Sequence, residues 1–272
     1  MEKIILYCKS YRGDVQGVLR LKNSIEKFNK DNIPFYVSCP LSDKKIFEEV
    51  LGTKNYTLIN DEDIFNLKST LDGWRSQQII KSNLHKINIT ENYLAIDSDC
   101  YFIKDFYISD FMAKENVPYT IIHENKEASQ YKKLFFGTDF DKGGYVEALN
   151  AYREIFDSPY KKLYDYGNAP YIWSCKVWEH FEKNYLIPNK MTFETFQITM
   201  EHQFQNIRLA MREAIVYGEY VLNTKVIELI PTGPYFKFYN SKEMVEYEKK
   251  VGLFDEEKLK SSYIGILYQS KI

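Results

Sequence analysis

Two carboxylates separated by one serine follow an apolar run, and these residues are the best suited to chemistry. Asp97, Ser98 and Asp99 come directly after Tyr93–Ile96, and apolar residues resume at Cys100–Phe102. A continuous apolar run is typical of a strand covered on both faces, and side chains alternate along a strand, so Asp97 and Asp99 are predicted to point the same way. Two like charges at a buried strand end are costly unless a cation lies between them, which favours a divalent metal with a phosphate-bearing ligand. The spacing alone leaves a second interpretation open, a strand exit at which the aspartates cap the next element.

The segments before the acidic pair alternate between strand and helix patterns. Strands are predicted at Lys3–Tyr7, Phe35–Cys39 and Tyr56–Ile59, and helices at Val15–Asn29 and Ser42–Leu51. This order is typical of a parallel sheet with right-handed crossovers, in which ligands bind beyond the carboxyl ends of the strands. The loop Cys8–Asp14 and the acidic pair both lie at such ends, so a nucleotide-binding face is predicted there.

The composition is that of a globular protein and argues against a nucleic-acid partner. The chain has 272 residues, of which 44% are hydrophobic and 27% charged, and a net charge of -2 provides no basic face. The cysteines are widely spaced, which favours reduced thiols in a cytosolic protein over a zinc site or disulfides. The N-terminal apolar run is too short for a secretory signal, and no run is long enough to span a membrane. A cytoplasmic location is therefore expected, and peripheral contact with the inner face of the membrane stays open.

A helix is predicted from Gly73 to Ile87, before the strand that leads to the acidic pair. Its spacing places Gln77 and Lys81 on one face, and Trp74 and Gln78 on another. Gln77 and Lys81 would be wasted on a face exposed only to solvent, which favours a ligand contact. The alternative is an amphipathic helix with an ordinary polar side.

Three later residues are further candidates. His123 ends a predicted strand from Val117, although a lone histidine is more often a structural hydrogen-bonding group than a ligand. Trp173 lies in a proline-bounded aromatic segment, where an exposed ring would stack on a sugar and a buried ring would fill the core. Glu213 precedes an apolar helix that contains Gly218, so its carboxylate either favours the helix dipole or points into a cleft.

The order of these features resembles a bacterial family of GT-A-type glycosyltransferases that contains a DxD motif and is associated with surface polysaccharide loci. The segments that carry the resemblance are Gly73–Lys81, Ala95–Asp99 and Glu213–Tyr220, and it covers the chain from about Lys3 to Leu222. It implies a single GT-A-like domain over residues 1–272, an α/β fold whose Rossmann-type mixed sheet is mainly parallel and flanked by helices. Residues 1–110 would form the nucleotide-binding half, and residues 111–272 the acceptor-side half with a C-terminal extension.

The resemblance further implies a metal-dependent transferase that moves a sugar from a nucleotide-sugar donor to a hydroxyl of a glycan acceptor, in capsule or other surface polysaccharide synthesis. Asp97 and Asp99 would hold Mn²⁺ or Mg²⁺ at the donor diphosphate, with Asp99 the first choice as ligand and as a catalytic residue. The other residues implied at the donor are Tyr11, Arg12, Asp14, Gln77, Gln78, Lys81 and Ser98.

On the acceptor side, the resemblance makes Glu213 the candidate general base, with His123 and Trp173 as acceptor contacts. A retaining enzyme would need no such base, and the stereochemical outcome stays open. No histidine lies beyond His202 to serve as the C-terminal metal ligand that GT-A enzymes frequently use. The third metal ligand and the oligomeric state are therefore open as well.

Three other functions compete with the transferase. A phosphatase of the haloacid dehalogenase type also carries Asp-x-Asp, but near the start of its domain and with a later acidic pair. A nucleotidyltransferase should have a glycine-rich loop after the first strand, and Cys8–Asp14 holds a single glycine. A non-catalytic carbohydrate-binding protein would explain the aromatic content but not the paired acids.

Overall fold

Strands and helices alternate along the first part of the computed structural model, which describes residues 1–68, 71–124, 133, 145–204, 212–239 and 241–269. The strands are β1 (Glu2–Lys9), β2 (Phe35–Cys39), β3 (Thr57–Asn60), β4 (Thr90–Ile96), β5 (Cys100–Phe102), β6 (Met112–Lys114), β7 (Val117–Ile121), β8 (Tyr171–Ser174), β9 (Ile230–Thr232), β10 (Phe236–Tyr239) and β11 (Gly265–Tyr268). The helices are α1 (Val15–Phe28), α2 (Lys44–Leu51), α3 (Asp61–Ile64), α4 (Gly73–Ser82), α5 (Ile108–Phe111), α6 (Tyr145–Ile155), α7 (Cys175–Phe181), α8 (Phe193–Phe204), α9 (Glu213–Thr224), α10 (Lys242–Lys250) and α11 (Glu256–Leu259).

The central sheet has the strand order β3-β2-β1-β4-β8. Its first four strands are parallel, and β8 is antiparallel at one edge. Alternate residues of β1 pack in different cores, Ile5 and Tyr7 with Ile79 of α4, and Leu6 with Leu21 of α1. Because helices cover both faces, the buried centres of the inner strands are apolar, at Ile4–Tyr7 of β1 and Tyr93–Ile96 of β4. The predicted mixed, mainly parallel α/β sheet is confirmed.

The acidic pair lies in a turn after β4 and not on the strand itself, so the prediction that strand alternation orients the two carboxylates is wrong. Strand β4 ends at Ile96, and Cys100 starts β5 in a second sheet with the order β10-β11-β5. The Cys100 amide donates to the Asp97 carbonyl over 3.1 Å and closes the turn Asp97–Asp99, called the acidic turn below. Strand alternation therefore does not orient the two carboxylates, and the turn does so instead.

Other element boundaries differ by a few residues. The helix predicted over Gly73–Ile87 ends at Ser82, where the Asn83 side chain donates to the Ile79 carbonyl over 2.8 Å, and a short 3₁₀ turn follows. The sequence from Val226 to Ile230 predicts a strand, but the observed strand, β9, starts only at Ile230. The sequence from Phe193 to Arg208 also predicts a helix; it is seen to Phe204, and the remainder of the predicted helix lies outside the described residues.

The C-terminal segment builds a small core of its own beside the acidic turn. Tyr239, Met244 and Ile266 pack there, and the Tyr239 hydroxyl donates to Glu248 over 2.7 Å. Glu248 also pairs with Lys237 at 2.9 Å, and both side chains are buried. Strand β11 of this unit is antiparallel to β5, which fixes the C-terminal sheet next to the acidic turn. Within the described ranges, no helix is both long enough and apolar enough to cross a membrane.

Candidate functional site

A cleft of about 490 Å³ opens at the carboxyl ends of β1 and β4. Parallel strands place their carboxyl ends at one edge of the sheet, which is where ligands bind in open α/β folds. The residues that line the cleft come from the loop after β1, the start of α4, the acidic turn, the segment before β8 and the C-terminal sheet: Lys9, Ser10, Tyr11, Asp14, Gly73, Trp74, Gln77, Asp97, Ser98, Asp99, Asn168, Ala169, Tyr171, Phe238, Leu267 and Gln269.

The acidic turn is held through its backbone by elements on two sides. A Cβ at Gly17 of α1 would lie 2.6 Å from the Ser98 carbonyl oxygen, so only glycine allows this approach. The Asp99 carbonyl accepts a hydrogen bond from the Tyr268 amide at 3.2 Å and a longer one from the Arg20 guanidinium at 3.5 Å. Because these contacts use backbone atoms, the turn is fixed while both aspartates line the cleft.

Asp14 brings a third carboxylate to the same cleft. Burial raises the pKa of the Asp14 carboxyl above its ordinary value, and the charge of Asp97 raises it further. A hydrogen bond with Ser98 and the charge of Lys9 act in the opposite direction. The cleft is therefore strongly acidic on the side formed by the β1 loop and the acidic turn, which suits a cation or a ligand rich in donors.

Lys81 is closed off from solvent and joins two carboxylates. Its Nζ lies 3.2 Å from Asp97 Oδ1 and 2.8 Å from Glu213 Oε1, and its side chain is 2% exposed. Burial would lower the pKa of the Lys81 ammonium, but the two carboxylates outweigh burial and raise that pKa above its ordinary value. The lysine predicted to contact a donor phosphate thus has Asp97 and Glu213 as its partners.

The two neighbouring glutamines of α4 have different surroundings. Gln77 lines the cleft, whereas Gln78 is 1% exposed in the core. The Gln78 side chain accepts a hydrogen bond from the Glu213 amide at 3.3 Å and donates one to the Trp74 carbonyl at 3.2 Å. Because its amide is used in this way, Gln78 caps the start of α9, and it is not among the residues that line the cleft where the nucleotide sugar is expected.

Arg12 and Tyr11 of the β1 loop also differ in their position relative to the cleft. The Arg12 Nε donates to Asp43 Oδ1 over 2.7 Å and its backbone amide donates to Oδ2 over 2.8 Å. Burial would raise the pKa of the Asp43 carboxyl, but these hydrogen bonds outweigh it and lower that pKa. Arg12 thus fastens the β1 loop and is not among the residues that line the cleft, whereas Tyr11 lines it and is 51% exposed.

None of the three residues predicted on the acceptor side, Glu213, His123 and Trp173, lines the cleft. Trp173 is 2% exposed, with Tyr171 stacked on it at 5.0 Å and Trp178 edge-on at 5.3 Å. An indole enclosed in this way has no open face for a sugar, so Trp173 fills the core in this structure. His123 makes two backbone hydrogen bonds with Asp165, of 3.0 and 2.8 Å, and ends the strand region as a bridge.

Sequence reasoning missed several residues that line the cleft. Trp74 is 45% exposed at the start of α4, and Lys9 enters from β1, where it pairs with Asp61 at 2.9 Å. Phe238, Leu267 and Gln269 come from the C-terminal sheet, which carries no recognisable motif. The position of Trp74, one residue after the predicted start of a helix, was a usable signal, but nothing local marked the C-terminal residues.

The acidic turn is the part of the cleft that could hold a metal ion. Within the described ranges, no group of three or more histidine, cysteine, aspartate or glutamate side chains is arranged to hold one. Asp97 and Asp99 nevertheless offer hard oxygen donors, and Mg²⁺ is commonly bound by one or two carboxylates together with substrate phosphates and water. The donor set fits a cation that is bound together with a phosphate ligand.

Comparison with solved structures gives the fold. Over 99% of this chain and 98% of the other, the structure is similar to mouse xyloside xylosyltransferase 1 in its apo form, with 8% identity and a TM-score of 0.50. It is similar to an active-site mutant of LgtC, with 10% identity, a TM-score of 0.53, and coverage of 97% of this chain and 86% of that one. A structure of the galactosyltransferase LgtC with donor and acceptor sugar analogs matches over the same shares, with 10% identity and a TM-score of 0.51. At such low identities these likenesses establish a GT-A-like fold.

Sequence comparison gives the family. No curated protein matches this chain significantly. The model of a family of unknown function, DUF6492, matches residues 3–246. Because that match spans most of the chain, the protein belongs to the DUF6492 family.

Proposed function

We propose that this protein is a metal-dependent glycosyltransferase, which moves a sugar from a nucleotide-sugar donor to a hydroxyl of a glycan acceptor. The observation that carries the proposal is the acidic turn, Asp97–Asp99, which lines a cleft of about 490 Å³ at the carboxyl edge of a GT-A-like sheet. A cleft at this edge, with carboxylates at its base and exposed aromatic rings beside them, suits a nucleoside diphosphate bound with a cation.

The donor would bind mainly to residues 1–110. Tyr11 and Trp74 are the two aromatic side chains of the cleft that are most exposed, and either ring offers a stacking surface for a base or a sugar. Asp14, Ser98 and Gln77 add hydrogen-bonding groups next to them. The acceptor would enter from the side of residues 111–272, where Asn168 and Tyr171 line the cleft.

Asp97 and Asp99 would hold Mn²⁺ or Mg²⁺ against the donor diphosphate. When bound, the cation would act as a Lewis acid that neutralises charge on the leaving diphosphate. The protein's own contribution is to hold the two carboxylates at fixed positions, through the backbone contacts of Gly17, Arg20 and Tyr268.

Transfer breaks the bond between the anomeric carbon and the diphosphate oxygen and forms a bond from that carbon to the acceptor oxygen. The acceptor hydroxyl must lose its proton as it attacks, and Glu213 is the proposed base. Glu213 does not line the cleft in this structure, so the acceptor hydroxyl would have to reach its Oε2, the oxygen other than the one that contacts Lys81 at 2.8 Å. The wider role would be synthesis of capsule or another surface polysaccharide, at the cytoplasmic side of the membrane.

Calorimetry with UDP, GDP and CDP, each with and without Mn²⁺, tests the proposal. We expect one nucleotide to bind only with the metal, and binding to be lost in Asp99→Asn at an unchanged melting temperature. A positive result would be followed by a screen of nucleotide sugars for slow hydrolysis. Binding without metal, or no binding, would favour a carbohydrate-binding protein. Hydrolysis of simple phosphate esters that is lost in Asp97→Asn would favour a phosphatase.

A further inference from the structure

Lys81 lies where three separate parts of the chain meet. Its ammonium contacts Asp97 in the acidic turn at 3.2 Å and Glu213 at the start of α9 at 2.8 Å. The lysine itself lies on α4, and its carbonyl accepts the Tyr93 hydroxyl of β4 over 2.7 Å. One buried positive charge is thus shared by two carboxylates that belong to different elements.

The other contacts of α4 keep this arrangement rigid. One turn before Lys81, the Gln78 side chain accepts the Glu213 amide at 3.3 Å, so α4 holds both the backbone and the carboxylate of the same residue. The Ser82 hydroxyl donates to the Gln78 carbonyl over 2.8 Å. Lys81 is therefore held by its own helix and has little freedom to leave its two partners.

A shared ammonium has a definite consequence for a cation at Asp97. The lysine charge opposes a metal ion at the same carboxylate, and the strength of that opposition depends on how much of the charge Glu213 neutralises. Without Lys81, the acidic turn would gain net negative charge. Without the Glu213 charge, Lys81 would act on Asp97 alone.

We propose that Lys81 is a positioning residue that sets how tightly the acidic turn holds a divalent cation. It does so because its positive charge is shared between Asp97 and Glu213. This inference rests on the proposed function, because it takes Asp97 as a metal ligand. It differs from a direct contact between Lys81 and a donor phosphate, in which Lys81 would strengthen nucleotide binding and Glu213 would have no part.

The test compares Mn²⁺ affinity in Lys81→Met and Glu213→Gln, measured from the electron paramagnetic resonance of free Mn²⁺, with Mn²⁺ alone and with UDP, GDP or CDP. We expect Lys81→Met to tighten Mn²⁺ binding about tenfold and Glu213→Gln to weaken it severalfold, because the two changes shift local charge in opposite directions. A purely structural role would loosen the site and weaken binding in both variants.

Lys237→Met is the matched control, since Lys237 is also buried and paired with a carboxylate, Glu248 at 2.9 Å, but does not line the cleft. It should leave Mn²⁺ affinity unchanged. Melting temperatures are recorded for all variants. If Lys81→Met does not fold, Lys81→Gln replaces it, with tighter Mn²⁺ binding supporting the proposal and equal or weaker binding overturning it.

Failure of the inference and failure of the proposed function give different results. If the wild-type protein binds Mn²⁺ and Asp97→Asn abolishes binding, but the Lys81 and Glu213 variants shift in the same direction or not at all, the role of Lys81 alone is overturned. If Lys81→Met mainly weakens nucleotide binding, the phosphate contact is correct instead. If the wild-type protein binds no Mn²⁺, with or without a nucleotide, both proposals fall.

Discussion

Helix α9 carries two buried glutamates with contrasting surroundings. Glu219 has no exposed surface, and its carboxylate accepts hydrogen bonds from Tyr166 at 2.6 Å, Arg153 at 2.9 Å and Ser158 at 3.3 Å. Each oxygen has a donor, and the arginine balances the charge. This is the pattern of a structural ion pair, in which desolvation is offset by complete hydrogen bonding.

Glu213, at the start of the same helix, shares its cation with a second carboxylate. Lys81 contacts both Glu213 and Asp97, and the Asp97 side chain is 34% exposed and lines the cleft. Two carboxylates thus share one ammonium, so negative charge exceeds positive charge, and the Asp97 carboxylate faces the cleft. The difference shows that burial alone does not mark a functional charge; the useful signs are an incomplete balance of charge and access to a cleft.

The largest expected difference between the two regions is in activity. If the acidic turn binds the metal and donor, Asp99→Asn should lower turnover by about 10³-fold, because the carboxylate that would hold the cation against the leaving diphosphate is lost. Its melting temperature should stay within a few degrees of wild type. Once a donor is identified, single-turnover transfer assays measure the first quantity and calorimetry the second. Normal turnover in Asp99→Asn would remove the acidic turn from the chemistry.

The Glu219 cluster should respond in the opposite way. Glu219→Leu leaves Arg153 buried without its partner, and breaking a buried pair by removing one member costs about 3–5 kcal/mol of unfolding free energy. The double variant Arg153→Met with Glu219→Leu should lose less than Glu219→Leu alone, since neither charge is then stranded. Urea unfolding measures both. A Glu219→Leu protein of normal stability would show that this pair contributes little.

Gly17 connects stability and function at the acidic turn. In Gly17→Ala the new Cβ would lie 2.6 Å from the Ser98 carbonyl oxygen, so helix and turn must separate. We expect a loss of about 2 kcal/mol from this overpacking and a fall in turnover of roughly a hundredfold from the displaced carboxylates.

Gly233→Ala is the control for this change, because a Cβ there meets nothing within 4 Å. It should alter neither quantity measurably. If Gly17→Ala loses stability but keeps full turnover, the position of the acidic turn is less demanding than we infer.

Glu182 is a third charged side chain, and its contribution to the unfolding free energy should be measurable at acidic pH. Hydrogen bonds from His85 and Lys86 lower the pKa of the Glu182 carboxyl to about 2, against some opposition from partial burial. Because the folded-state pKa is below the ordinary value, Glu182 stabilises the protein above pH 4.5 and this contribution is lost as the pH falls towards 2. With a side chain 25% exposed, solvent screening reduces the contribution to roughly 1–2 kcal/mol. In Glu182→Gln, the unfolding free energy measured by urea unfolding should fall less steeply between pH 4.5 and about 2 than in the wild type. An unchanged pH dependence would contradict the stabilising role of Glu182.

The fold was largely predictable because its signals are local and repeated. Apolar runs at β1 and β2, with amphipathic helices between them, indicate a parallel sheet, and the carboxyl-end rule locates the cleft. The break at Asp97 was not predictable from hydrophobicity, since apolar residues continue at Cys100 in another sheet. Strand alternation gave the wrong reason for the orientation of the two aspartates, which both line the cleft all the same.

The positions of individual side chains were harder to predict from the sequence, because tertiary packing decides which side chains are exposed. Helical spacing could not tell that Gln77 lines the cleft while Gln78 is buried, nor that Lys81 would meet Glu213, which lies far along the chain. A glycine inside a helix is costly, so Gly218 indicates either close packing or the approach of a ligand. The structure shows packing, since a Cβ there would lie 2.0 Å from the Tyr166 ring.

The two tryptophans Trp74 and Trp173 extend the comparison to apolar side chains. Replacing the exposed one, Trp74, is expected to have the smallest effect of the substitutions other than the controls. Trp74 is 45% exposed at the cleft and Trp173 is 2% exposed in the core. Trp74→Ala should weaken nucleotide binding by about tenfold through lost stacking, with no change in stability. Trp173→Ala should instead cost about 3–5 kcal/mol of unfolding free energy. Calorimetric titration with the nucleotide that binds wild type, run beside urea unfolding, separates the two. If Trp74→Ala binds as tightly as wild type, the base and sugar do not stack there, and Tyr11 is the ring to replace next.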